Sequence, residues 1–235
     1  MNDNDDASRI ALALDVSDLD AAKRLIEQTH AHVGVFKVGL ELYTAVGPAA
    51  VEAVHAAGAR CFLDLKLHDI PATMGRSVAR VSAMGVSYLT VHAAAGSESL
   101  RTAQQNSGET HLLAVTVLTS LDADALEEIG LQADARAAAD RLARLAWTAG
   151  VRGFVASAHE CAALRQSLGK EAFLVTPGIR PAGADVGDQK RVMTPTQAIE
   201  AGADLLVVGR PIRDASDPAS AARDIASQVE SALAR

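Results

Sequence analysis

Cys61-Phe62-Leu63-Asp64-Leu65-Lys66-Leu67-His68-Asp69-Ile70-Pro71 is an apolar run into which three charged side chains have been set. Without those charges, Arg60–Leu67 reads as a strand buried on both faces, the pattern of a parallel sheet covered by helices. The same kind of run recurs at Ile10–Val16, Val33–Leu40, Tyr88–Ala93, His111–Thr119, Gly153–Ser157, Phe173–Ile179 and Leu205–Gly209. Segments with helical spacing lie between them, such as Leu19, Ala22, Leu25 and Ile26, then Val51, Val54 and Ala57, and later Leu142, Leu145 and Ala146. Eight strand–helix repeats in 235 residues predict a (β/α)₈ TIM barrel, for which about 250 residues is typical, over an open doubly wound sheet.

No Pro/Ser-rich linker or break in composition divides the chain, so residues 9–235 are expected to form one domain behind a flexible tail, Met1–Ser8. That tail is rich in Asn and Asp and lacks the basic-then-apolar order of a signal peptide. The longest insertion is Leu121–Gly150, where two helical segments separate strands five and six. A dinucleotide-binding sheet would place a Gly-x-Gly-x-x-Gly after its first strand, and here Val16-Ser17-Asp18-Leu19 follows Asp15.

Composition narrows the function classes. Hydrophobic residues make up 49% of the chain and aromatics only 3%, which implies a large aliphatic core. A formal net charge of −7 argues against a nucleic-acid surface, and no apolar run reaches the length of a membrane span. An anionic substrate would have to be held by a few local Lys and Arg residues against the global field. Cys61 and Cys161 form neither a disulfide framework nor a metal-type spacing and are expected to be buried, reduced thiols of a cytoplasmic protein.

A barrel of this kind carries its active site at the C-terminal ends of its strands, and polar residues collect there. Asp15 closes strand one, Lys37 lies in strand two, Asp64 and Lys66 in strand three, His92 closes strand four, Thr119 and Ser120 close strand five, and Arg210 closes strand eight. Several have plain alternatives: Asp15 and the Thr119-Ser120 pair can be read as helix caps, and His92 as a structural histidine. The charges of strand three are harder to set aside, because an unpaired charge inside a barrel is costly. Asp64 and Lys66, two residues apart, point to one face about 6.6 Å apart, and neighbouring carboxylates favour the ammonium form of Lys66, which suits a general acid. A second constellation joins Thr176-Pro177-Gly178-Ile179-Arg180, the Gly-rich stretch to Gln189, and Val207-Val208-Gly209-Arg210, where barrels commonly bind phosphate.

Together, Ala11-Leu12-Ala13-Leu14-Asp15, Phe36-Lys37-Val38-Gly39, Asp64-Leu65-Lys66-Leu67-His68-Asp69-Ile70-Pro71, Leu118-Thr119-Ser120, Thr176–Arg180, Asp188-Gln189 and Val207–Arg210 resemble the orotidine 5′-phosphate decarboxylase family over nearly the whole chain. The resemblance implies conversion of orotidine 5′-monophosphate to UMP and carbon dioxide without metal or organic cofactor. It implies that Lys66 protonates C6 of the pyrimidine, that Asp64 lies beside the substrate carboxylate and holds Lys66, and that Asp69 completes an alternating charge array with Lys37. Asp15 and Lys37 would bind ribose hydroxyls, Thr119 and Ser120 would address the pyrimidine, and Arg180, Gln189, Gly209 and Arg210 would hold the phosphate. Asp69, Ile70 and Thr73 would reach the neighbouring subunit's site in a homodimer. Strand parity agrees, because Asp69 is an odd number of residues from Asp64 and Lys66 and would face the other side of a continued strand. Two rivals share the architecture: a magnesium-dependent sugar-phosphate decarboxylase or aldolase of the same superfamily, and a non-catalytic nucleotide- or phosphate-binding barrel.

Overall fold

In a computed structural model, residues 9–182 and 192–235 are described. The tail 1–8 and the stretch carrying Asp188 and Gln189 lie outside the described residues. Eight parallel strands close into a barrel in chain order: β1 (Ile10–Ala13), β2 (Val35–Val38), β3 (Arg60–Leu67), β4 (Tyr88–His92), β5 (His111–Val115), β6 (Gly153–Val155), β7 (Phe173–Thr176) and β8 (Leu205–Val208). The expected fold is therefore the observed one. Most strands are shorter than the apolar runs that announce them; β5 stops at Val115 although the run continues to Thr119. Beyond the ends of β1, β5, β6, β7 and β8 the chain supplies residues that line a cavity at the C-terminal rim.

Helices α1 (Leu19–Thr29), α2 (Leu40–Val46), α3 (Ala49–Ala56), α4 (Pro71–Ser82), α5 (Ser97–Gln105), α6 (Ala123–Glu128), α7 (Ala135–Thr148), α8 (Ala158–Leu168), α9 (Pro195–Glu200), α10 (Arg210–Arg213) and α11 (Pro218–Leu233) surround the barrel. Their starts follow side-chain chemistry. Asp18 caps α1 by accepting the Ala21 N–H, and Asp122 caps α6 by accepting the Ala125 N–H. These are the caps for which Asp15 and Thr119-Ser120 were alternatives, so the helix starts do not account for those three residues. No helix among the described residues is long and apolar enough to cross a membrane.

Alternation along the strands divides the apolar residues into two sets. Leu12, Leu14, Phe36, Val38, Leu63, Leu89 and Val91 point outward into the layer beneath the helices, while Ala11, Val35, Phe62, Tyr88, Leu113, Val175 and Leu205 fill the barrel. Its floor holds three of the chain's few aromatic residues: Tyr88 stacks on Phe173 with centroids 5.7 Å apart and meets Phe62 edge-on at 6.1 Å. Burial pushes the Cys61 thiol up to about 12 and the Cys161 thiol up to about 11. Both are free, buried and poorly disposed to react.

β3 departs from regular alternation. Leu63 pairs with Leu89 and Leu67 with Val91, so Asp64-Leu65-Lys66 lies opposite Thr90 alone. The bulge contains two extra residues, which restores the outward direction of Leu67 while re-aiming what lies between. Lys66 takes φ +50, the sole left-handed non-glycine among the described residues. This conformation costs an L-residue about 1 kcal/mol, and the Lys66 N–H is satisfied by Thr90 Oγ1 at 2.8 Å.

Candidate active site

Four charged side chains stand in alternating sign across the rim from β1 to β3. Asp15 Oδ1 is 3.1 Å from Lys37 Nζ, Lys37 Nζ is 3.5 Å from Asp64 Oδ2, and Lys66 Nζ contacts both Asp64 oxygens at 2.9 Å. The inner pair is the drier one: the Lys37 and Asp64 side chains are 10% and 12% exposed, against 32% for Lys66 and 40% for Asp15. Burial would raise the Asp64 pKa, but Lys37, Lys66 and the hydrogen bond from Thr90 outweigh it and hold the carboxyl below its ordinary value. Thr90 is fully buried, donates to Asp64 Oδ1 at 2.9 Å and simultaneously accepts the Lys66 N–H, tying the bulge to β4.

The array faces a cavity of about 540 Å³ lined by Asp15, Lys37, Asp64, Lys66, Thr119, Ser120, Arg180, Gly209 and Arg210 among others. Nine of the thirteen sequence-predicted site residues are thus brought together. The cavity is asymmetric. Its β1–β3 side holds the alternating array, whereas Arg180 and Arg210 line the β7–β8 side and give it a cationic end despite the net charge of −7; Arg213, also in the lining, is paired with Asp214. Val115, Val117, Val155 and Pro177 supply apolar wall between the two. Such a space suits a ligand with an anionic tail and a flat polar head.

Glycine keeps the space beside the array open. A Cβ at Gly39 would lie 3.0 Å from both Asp15 Oδ1 and Lys37 Nζ, and one at Gly209 would lie 3.8 Å from Asp15 Oδ2. Glycine at the first of these positions lets the Asp15–Lys37 contact form without displacement.

Asp69, Ile70 and Thr73 are the predicted residues that do not line this cavity. Asp69 is exposed, with Oδ1 accepting the Ile70 N–H at 2.7 Å, and Ile70 is 67% exposed. Within one chain the array runs Asp15, Lys37, Asp64 and Lys66, and Asp69, expected to serve the neighbouring subunit's site, takes no part in it. The parity of a regular strand does not govern this stretch, because the bulge intervenes and β3 has ended by His68. Gln189 lies outside the described residues. Sequence reasoning missed Thr90 and Arg213; the inward parity of Thr90 with His92 on β4 was the available signal for the former.

Beside Lys66, the His68 and His92 rings stack with centroids 5.3 Å apart, and His92 Nδ1 accepts the Ala94 N–H. Burial, then His68 and Lys66, lower the His92 pKa below the ordinary 6.5. The fold thus refuses a proton that the unfolded chain accepts. The stability from this site is complete above pH 6.5 and is lost as pH falls through the lower folded value. Urea unfolding just below pH 6.5 is expected to show a shallower pH dependence in His92→Gln than in the parent; identical slopes would remove His92 from the account.

Among the described residues, no cluster of three or more His, Cys, Asp or Glu is disposed to hold a metal ion. The Asp15 and Asp64 carboxylates are bridged by the Lys37 ammonium.

Residues 8–225 match the model of the orotidine 5′-phosphate decarboxylase / HUMPS family. An orotidine 5′-phosphate decarboxylase of Anaeromyxobacter dehalogenans is 53% identical over 222 residues, covering 94% of this chain and 98% of that protein. Another from Thermobifida fusca is 50% identical over 225 residues, covering 95% and 97%. The crystal structure of orotidine 5′-phosphate decarboxylase from Lactobacillus acidophilus superposes with a TM-score of 0.83 at 33% identity, covering 94% of this chain and 98% of that one.

Proposed function

The chain belongs to the orotidine 5′-phosphate decarboxylase / HUMPS family, and from that premise we propose how its cavity carries out the decarboxylation of orotidine 5′-monophosphate to UMP, the final step of pyrimidine nucleotide synthesis. The protein is a carboxy-lyase. The observation that carries its mechanism is the alternating Asp15–Lys37–Asp64–Lys66 array at one end of a cavity whose other end is cationic.

Arg180, Arg210 and Gly209 hold the phosphate; Gln189, assigned the same role by resemblance, lies outside the described residues. Asp15 and Lys37 meet the ribose hydroxyls, and Thr119 and Ser120 address the pyrimidine. The C6 carboxylate then lies beside Asp64. The C6–carboxylate bond breaks with its electron pair left on C6, carbon dioxide departs, and Lys66 Nζ delivers a proton to C6 and is later reprotonated from solvent. The electron pair at C6 cannot delocalise into the ring, so stabilisation must come from charge already in place. An ammonium fixed by two carboxylate contacts supplies it without reorganisation. Phosphate binding, remote from C6, contributes by fixing the pyrimidine against the array.

Asp69, Ile70 and Thr73 complete the cavity of a second copy in a homodimer; their position outside the cavity of their own chain and the exposure of Ile70 support this role. The buried free thiols fit a cytoplasmic protein. Mixing purified protein with orotidine 5′-monophosphate in EDTA is expected to change the pyrimidine absorbance to completion. Activity that requires magnesium would favour the sugar-phosphate rival, and UMP binding without turnover would favour a non-catalytic barrel.

A further inference from the structure

Arg213 ends α10, one turn beyond Arg210, and all three of its guanidinium nitrogens are engaged. Nε and Nη2 donate to the Asp214 carboxylate at 2.6 and 2.9 Å, and Nη1 donates to the Asp15 carbonyl at 2.9 Å, across 198 positions of sequence. The fork is therefore oriented by one carboxylate and aimed at one peptide.

That peptide is the one from which the outermost carboxylate of the array projects. The Leu14 N–H still donates to the Lys37 carbonyl at 2.9 Å, but Asp15 itself lies beyond the end of β1. Its carboxylate is 40% exposed and contacts Lys37 at 3.1 Å, between Gly39 on one side and Gly209 on the other. The rotamers open to an aspartate depend on its backbone angles, so fixing the Asp15 carbonyl fixes where the carboxylate can reach. The structure assigns to Arg213 the role of a positioning residue that sets selectivity for the ribose hydroxyls through Asp15. This rests on the role of Asp15 given above, and it links the strand end that grips phosphate to the strand end that meets the sugar.

The test compares inhibition by UMP and by 2′,3′-dideoxy-UMP, which lacks both hydroxyls, in the parent, Arg213→Met, Arg213→Lys, Asp214→Asn and Asp15→Asn. The preference for UMP is expected to fall about tenfold in Arg213→Met, with the loss on orotidine 5′-monophosphate falling on KM more than on kcat. Arg213→Lys keeps the charge but not the fork and is expected to recover part of the preference. Asp214→Asn, which leaves Arg213 in place with a weaker anchor, is expected to move in the same direction as Arg213→Met. Parental preference in Arg213→Met, alongside its loss in Asp15→Asn, would overturn the inference and leave the sugar role of Asp15 standing. Parental preference in Asp15→Asn would overturn that role and the inference with it. Equal weakening of both nucleotides in Arg213→Met would place the arginine on the phosphate and also overturn the inference.

Discussion

Lys66→Ala is expected to lower turnover of orotidine 5′-monophosphate by at least about 10⁴-fold while leaving UMP affinity within about threefold of the parent. On the proposed mechanism two functions vanish together in this variant: the proton donor, and the cation that stabilises charge as it develops at C6. UMP carries a hydrogen at C6 and needs neither. The fold is expected to tolerate the change because Asp64 keeps Lys37 at 3.5 Å and the hydrogen bond from Thr90. Removal of one of its two cationic neighbours also leaves Asp64 less compensated toward the substrate carboxylate, so substrate is expected to bind less well than product. Stopped assays over hours, combined with calorimetric titration of UMP, measure both quantities. Near-parental turnover would remove Lys66 from its assigned role, whereas loss of UMP binding equal to the loss of turnover would make it a structural residue.

The second large effect concerns Asp69. If each cavity draws Asp69 from a second copy, Asp69→Ala and Lys66→Ala are each nearly inactive alone, yet together they can rebuild activity. A mixed dimer has one cavity with both substitutions and one with neither. Random exchange between equal amounts is expected to restore about a quarter of the parental activity, because about half of the dimers are mixed and each has one intact site of two. Co-expression with two different tags, followed by sequential purification, isolates the mixed species and measures this directly. No recovery in a purified mixed dimer would return Asp69 to its own chain. Ile70 and Leu40, 67% and 53% exposed in the single chain, are expected to be covered in that assembly.

The barrel was legible because both-face apolar strands alternating with helices have few other solutions, and the charges within β3 stood out because a buried charge demands a partner. What the sequence hid was local geometry. A bulge depends on how two strands pair, so nothing in Asp64-Leu65-Lys66 announces that three residues lie opposite Thr90. Simple alternation placed Asp64 and Lys66 on one face, and they do share the cavity, but Lys66 arrives there through a left-handed backbone. Thr90 was inconspicuous because threonine is at home in any strand; its value comes from burial between a carboxylate and a backbone N–H. Arg213 was hidden for a different reason: its partners are an adjacent aspartate and a carbonyl from the opposite end of the chain. Strand lengths were overread wherever the apolar run continued into the cavity wall, as at Val117 and Leu118.

The stacked Tyr88 and Phe173, with Phe62 edge-on, pack the barrel interior behind the cavity at its rim. On the proposed assignment, substrate and nucleotide product occupy this same cavity. A UMP molecule still seated therefore bars the next substrate, so inhibition by product is competitive by construction. Accumulated UMP then slows the reaction according to its occupancy of the cavity.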